Sequence, residues 1–140
     1  MPAFEPIIHF AGGLILNRYI VVVVGGAFGT GCRYGLSTLV YSLVKQPTFP
    51  YANFIINVSG SFLIGVLAEL FDTRFLVSPN VRIALLTGVL GGYTTFSSFT
   101  FETFELLRDG ELWLGLANVL ASVILGLAAV WLGVRFAQLF

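Results

Sequence analysis

Charge is what this chain has least of. Seven Lys or Arg and seven Asp or Glu among 140 residues make 10% charged content with zero formal net charge, and 57% of the residues are hydrophobic. With so few polar groups to face water, an ordinary soluble domain is excluded, and no basic run offers a surface for nucleic acid. A single cysteine, Cys32, excludes an internal disulfide, and a single histidine, His9, is too little for a zinc site. His9 lies outside the apolar stretches and no nucleophile with a base stands at helical spacing, which argues against an enzyme. Long polar linkers are also missing. The turn around Lys45, Gln46 and Pro47, the segment Asp72 to Asn80 and the Arg108-Asp109-Gly110-Glu111 turn leave no room for an extramembrane domain.

Apolar runs fill the rest, at a mean hydropathy of +0.94. Four stretches come near the roughly 20 residues of a spanning helix: 19–44, 51–68, 81–107 and 112–134. The expectation is an all-α, multi-pass membrane protein, a single four-helix domain over 1–140. The piece from Ile7 to Leu16 is too short to span and lacks the charged front and cleavage site of a signal peptide; it is an interfacial segment or an extension of the first helix. Four spans would put Arg18, Arg74, Arg82 and Arg135 on one side against Lys45 and Arg108 on the other. That bias is too small to fix orientation, so copies inserted both ways are conceivable. Gly25 and Gly29, Gly31 and Gly35, Gly88 and Gly92, and Ser122 and Gly126 follow small-xxx-small spacing, which brings helix backbones together and suits an oligomer.

The third stretch is the most unusual. Gly91-Gly92-Tyr93-Thr94-Thr95-Phe96-Ser97-Ser98-Phe99 joins two glycines to two β-branched threonines, both unfavourable to a helix. A break near the membrane midplane is expected there, and the freed backbone groups would have to be buried in protein or line a polar path, since each costs several kcal/mol in hydrocarbon. If helix resumes at about Thr95, then Thr95, Ser98 and Glu102 share a face bordered by Phe96 and Phe99. The free N–H groups of that second half suit an anion, and the carbonyls of the first half suit a cation. Ring edges of Phe96 and Phe99 carry positive potential and could also approach an anion. Asn53, Asn57 and Ser61 recur every four residues in the second stretch, with Asn57 as a pathway or interhelical ligand; Asn118 and Ser122 are one turn apart in the fourth. Arg33, whose burial in lipid costs roughly 2.5 to 3.5 kcal/mol, either lends positive potential to an anion vestibule, snorkels, or pairs with Glu69 or Glu102. Glu102 could be protonated, orient donors, or lie at the interface with Glu105.

Three runs together carry a family resemblance. Gly25-Gly26-Ala27-Phe28-Gly29-Thr30-Gly31-Cys32-Arg33-Tyr34, Asn57-Val58-Ser59-Gly60-Ser61-Phe62-Leu63-Ile64-Gly65 and Gly91 through Glu102 are similar to the motifs of the Fluc (CrcB) family of fluoride channels, over nearly the whole chain from Gly25 to Gly133. The resemblance implies passive fluoride export from the cytoplasm through an antiparallel, dual-topology homodimer in the cell membrane, with two pores and a central structural sodium ion. By position it implies that carbonyls of Gly91 and Thr94 hold the sodium, that Phe96 and Phe99 are the pore phenylalanines, that Asn57 donates near them, and that Thr95, Ser98, Glu102 and Ser122 form a polar track. Asn118 stands where many relatives have tyrosine. The residues alone would not name fluoride, but a small, strongly hydrated anion needs successive O–H and N–H donors at weak sites, and three stretches supply them. Two rivals stand against this. A small dual-topology multidrug or cation exporter should carry an acid deep in its first helix, where this chain has Arg33; a membrane interaction subunit would need the glycine pairs but not the Asn, Ser and Thr stripes.

Overall fold

In a computed structural model, residues 5–45 and 48–140 are described, with side chains from residue 16 onward. Gln46 and Pro47 of the expected first turn, and the side chain of His9, lie outside the described residues. The described chain is all helical, without a strand: α1 (Glu5–Leu43), α2 (Tyr51–Thr73), α3 (Pro79–Ile83), a π-helical turn (Ala84–Val89), α4 (Leu90–Tyr93), α5 (Phe96–Arg108) and α6 (Leu112–Ala137). Three helical segments, Leu16–Leu43, Tyr51–Thr73 and Leu112–Ala137, are long and apolar enough to cross a membrane. The piece from Ile7 to Leu16 continues α1 without a break, giving 39 residues and about 58 Å at 1.5 Å per residue, well beyond a hydrocarbon core of about 30 Å.

Local chemistry explains the element ends. Pro50 leads into α2, and the Phe49 ring lies 5.1 Å from Tyr51 and edge-on to Phe54, an aromatic cluster of the kind that sits at a membrane interface. α2 runs five residues past the apolar stretch to Thr73, whose hydroxyl donates to the Glu69 carbonyl. Ser78 caps α3, accepting from the Val81 amide, and Pro79 occupies the first helical position, where its missing N–H costs nothing. Between α5 and α6, Gly110 adopts φ 86°, the left-handed conformation glycine tolerates. Its amide donates to the Leu107 carbonyl and that of Glu111 to Leu106, satisfying carbonyls that the helix end would otherwise leave open.

Glycines set the packing. α2 and α6 form one pair, with Gly65 against the Val130 backbone and Gly133 against the Phe62 carbonyl, so close that an added Cβ would overlap it. α1 forms the second contact, against the π turn and α4. There Gly25 and Gly29 meet Gly88 and Val89, and Gly92 meets the Gly26 carbonyl. Two of the small-residue pairs therefore pack on each other, whereas Gly31 and Gly35 face open space in the single chain. A π turn accepts an i→i+5 bond, here from the Leu90 amide to the Leu85 carbonyl, and widens the helix where Gly88 presses on α1.

Candidate functional site

Helical hydrogen bonding stops after Tyr93. Thr94 (φ −81°, ψ 160°) and Thr95 (φ −150°, ψ 119°) are extended, and α5 begins at Phe96. The Thr94 amide and hydroxyl both donate to the Leu90 carbonyl, at 2.9 and 3.0 Å. Beyond that carbonyl the first half of the run has acceptors to spare. Gly92 takes a long 3.4 Å bond from the Thr30 hydroxyl, while the Gly91, Tyr93 and Thr94 carbonyls have no donor among the described residues. On the other side Thr95 caps α5, its hydroxyl accepting from the Ser98 amide at 3.2 Å and donating to the Ser98 hydroxyl at 3.1 Å. The Phe96 and Ser97 amides stay unpaired among the described residues, so the start of α5 keeps free donors and positive dipole potential.

α2 holds this interruption from one side. The Asn57 side chain pairs with both backbone groups of Thr95, its Oδ1 accepting from the amide at 2.9 Å and its Nδ2 donating to the carbonyl at 3.1 Å. One amide hydrogen of Asn57 remains for another acceptor. Two residues on, the Ser59 hydroxyl meets the Tyr93 hydroxyl at 2.9 Å and donates to the Ile56 carbonyl. Gly60 faces the Thr94 methyl and the Tyr93 ring, and a Cβ there would overlap the methyl. Asn57 and Ser59 thus tie down the chain on both sides of the break, and Gly60 makes room for the threonine between them.

A cleft of about 380 Å³ opens at this point. It is lined by Asn57, Ser61, Gly91, Thr94, Thr95, Phe96, Phe99 and Ser122 together with Gly60, Ile64, Leu86, Leu90 and Val123. Eight of the residues singled out in the sequence therefore converge: Asn57, Ser61, Gly91, Thr94, Thr95, Phe96, Phe99 and Ser122. The Phe96 and Phe99 rings lie 5.7 Å apart, tilted by 48°. Phe96 is 76% exposed, so its ring projects from the chain rather than into a core.

Three others gather in a neighbouring cleft of about 330 Å³, where Arg33, Ser98 and Glu102 meet Thr30, Tyr34, Ser37, Tyr41 and Asn53. Arg33 makes no ion pair among the described residues, so neither Glu69 nor Glu102 is its partner; Glu69 instead accepts from Gln138. Glu102 Oε1 accepts from Asn53 Nδ2 at 2.6 Å, and Oε2 is buried without a partner. Asn118 belongs to neither cleft. It is 1% exposed, donates to Thr103 Oγ1 at 2.8 Å and accepts from Ser122 at 3.5 Å.

Sequence reasoning passed over Ser59, Gly60, Tyr93 and Thr103. Gly60 lies three residues from Asn57, and Thr103 continues the four-residue step from Thr95 and Phe99, so a search for further small or hydroxyl residues on those faces would have reached two of the four. No group of three or more His, Cys, Asp or Glu among the described residues could hold a metal ion.

The chain matches the family described as CrcB-like protein, Camphor Resistance (CrcB), over residues 20–134. It is similar to proteins named fluoride-specific ion channel FluC. The one from Solibacter usitatus is 47% identical over 121 residues, covering 86% of this chain and 98% of the relative. Those from Geotalea daltonii and Geotalea uraniireducens are each 48% identical over 123 residues, covering 88% of this chain and 98% of theirs.

Proposed function

Because this chain belongs to the CrcB-like family, whose relatives at 47 and 48% identity are named fluoride-specific ion channels, we propose that it conducts fluoride passively out of the cytoplasm and so limits fluoride toxicity. It is a multi-pass protein of the cell membrane, its apolar helices being suited to lipid. The observation that carries the proposal is the cleft at the Thr94–Thr95 interruption, where hydroxyls, spare amides and two phenylalanine rings meet. Fluoride gives up its water only for donors of comparable strength. The Phe96 and Ser97 amides and the second Asn57 amide hydrogen are such donors, the Thr95 and Ser122 hydroxyls join them by turning from Ser98 and Asn118, and the edges of Phe96 and Phe99 add weak positive contacts between them. Ser98 and Glu102 extend this track into the second cleft, where Arg33 adds positive potential and attracts the anion.

In this reading the run from 79 to 108 is the third of four spans, broken near the bilayer midplane. Two copies insert in opposite orientations and pair about a twofold axis, giving two pores. The weak Lys/Arg asymmetry and the open faces at Gly31, Gly35 and Gly91 favour such a partner. A sodium ion would be held at the centre by Gly91 and Thr94 carbonyls from both copies. These residues fit a hard cation, because their oxygens lack donors within the described chain. Bound there, sodium would offset the negative ends of the two broken helices; it would be structural and not carried.

Proteoliposomes loaded with fluoride or chloride salts test the reading. Passive fluoride efflux with chloride retained is expected, and Phe96→Ile and Phe99→Ile should each suppress it while the purified protein stays dimeric. Equal efflux of both anions from the unaltered protein would contradict the assignment to fluoride. Undiminished efflux in both variants would remove the rings from the pathway.

A further inference from the structure

We infer that Asn118 is a positioning residue: through Thr103 it fixes Phe99 and Ser122 against the cleft, and it does not itself touch the anion. This rests on the channel reading above and concerns a position where the chain carries asparagine. The amide is 1% exposed and absent from the cleft wall, so a passing ion does not reach it. Its partners do bear on the wall. Asn118 Nδ2 donates to Thr103 Oγ1 at 2.8 Å, and that hydroxyl donates in turn to the Phe99 carbonyl at 2.8 Å. Asn118 Oδ1 accepts from the Ser122 hydroxyl at 3.5 Å. One buried amide thereby links the residue bearing one cleft ring to the residue bearing one cleft hydroxyl, across the α5–α6 contact.

The sequence around it serves the same contact. Gly115, three residues earlier on the same face of α6, lies against Leu107, where an added Cβ would stand 2.8 Å from a methyl carbon. Its absent side chain lets α6 approach closely enough for Asn118 to reach Thr103. Every hydrogen in the relay has a defined direction: an amide can only donate through nitrogen, so Thr103 must accept from it and is free to donate onward. Ser122 is held by the longest bond of the set, and its hydroxyl can turn from Asn118 toward an arriving anion at small cost.

The decisive variants are Thr103→Val, Asn118→Leu, the double substitution and Thr103→Ser. Thr103 lines neither cleft, and Val keeps its outline, so Thr103→Val removes the relay hydroxyl and leaves Asn118 Nδ2 without that acceptor. We expect Thr103→Val to lower fluoride efflux per folded channel by roughly tenfold, the scale of one lost hydrogen bond. Asn118→Leu and the double variant should lose about the same, since residues acting in one network are not additive. Thr103→Ser should restore the rate. A 4-fluorophenylalanine label at position 99 gives a second readout: its fluorine resonance should move alike in Thr103→Val and Asn118→Leu and stay in place in Thr103→Ser. Full efflux in Thr103→Val, or an Asn118→Leu loss that multiplies with it, would overturn the inference and make Asn118 a direct donor. Unaltered protein that passes no fluoride would defeat the channel reading, and the resonance comparison would still decide the positioning role on its own.

Discussion

The α2–α6 pair and the helical run from Pro79 to Arg108 are built from the same apolar alphabet and do opposite things with it. α2 and α6 are unbroken, and they lock where Gly65 and Gly133 let backbones touch. The other run changes its helical pitch at Ala84–Val89 and stops altogether at Thr94–Thr95. In the first region backbone groups satisfy one another and glycine serves packing; in the second, carbonyls and amides are left over and side chains from α2 take up part of the surplus. A regular pair can hold an irregular strip in place because the irregular strip has only to be clamped, at Asn57 and Ser59, and not to support itself.

The sharpest way to break this contrast is to spoil the regular pair. Gly133→Leu drives a branched side chain into the Phe62 carbonyl, which is backbone and cannot swing aside. Overpacking costs typically 1–3 kcal/mol where neighbours can adjust, and here α2 and α6 would have to part along their length. We expect no monodisperse protein from detergent extracts on size exclusion, and hence no efflux at all. Recovery of normal, functional protein would mean that α2–α6 contact is not the scaffold.

Substituting the clamp should separate the two regions. Asn57→Leu leaves the Thr95 N–H and C=O without their partners, at about 1–3 kcal/mol for each group that stays buried. The α2–α6 contact is untouched, so folded protein should still be recovered with a lowered melting temperature, while fluoride efflux falls by at least about tenfold because the α5 start is no longer held. An equal, total loss of folded protein would show that the two regions are one cooperative unit.

How much of this could be read beforehand differs between the regions for a physical reason. Apolar length is a local property, so the helical membrane class and the regular helices were legible; for Ile7 to Leu16 the sequence left an interfacial segment and an extension of the first helix open, and the structure shows the extension. α2 runs five residues past the apolar stretch because Glu69 to Thr73, three of them polar, keep helical hydrogen bonds, with the Thr73 hydroxyl on the Glu69 carbonyl. The π turn was not legible. Its pitch depends on how Gly88 meets Gly25 and Val22, a contact more than sixty residues away in sequence. The convergence of Asn57 with Thr95 and Phe99 was suggested by one-face spacing on separate stretches, but spacing carries no information about which stretch faces which. Asn118 illustrates the limit: its spacing pairs it with Ser122, and only the Gly110 turn brings Thr103 to its other end.

The smallest expected effect sharpens the contrast most finely. Ser59→Ala removes one end of the contact with Tyr93 on the near side of the interruption. The Ile56 carbonyl, which also accepts the Ser59 hydroxyl, lies within α2 and keeps its helical partner, so the substitution orphans only the Tyr93 hydroxyl. A phenol at a partly buried site can turn toward water or headgroups, and the net loss should stay near 0.5–1.5 kcal/mol. Gly60 still leaves space for Thr94, and Asn57 still holds Thr95, so the carbonyls of the first half should shift while the donors of α5 stay in place. With sodium held by those carbonyls as proposed above, the expected outcome is fluoride efflux reduced by no more than about threefold, set against a clear dependence on external sodium. A variant as impaired as Asn57→Leu, with no such dependence, would mean that the two clamps act on one element and that the break has no separate acceptor and donor sides.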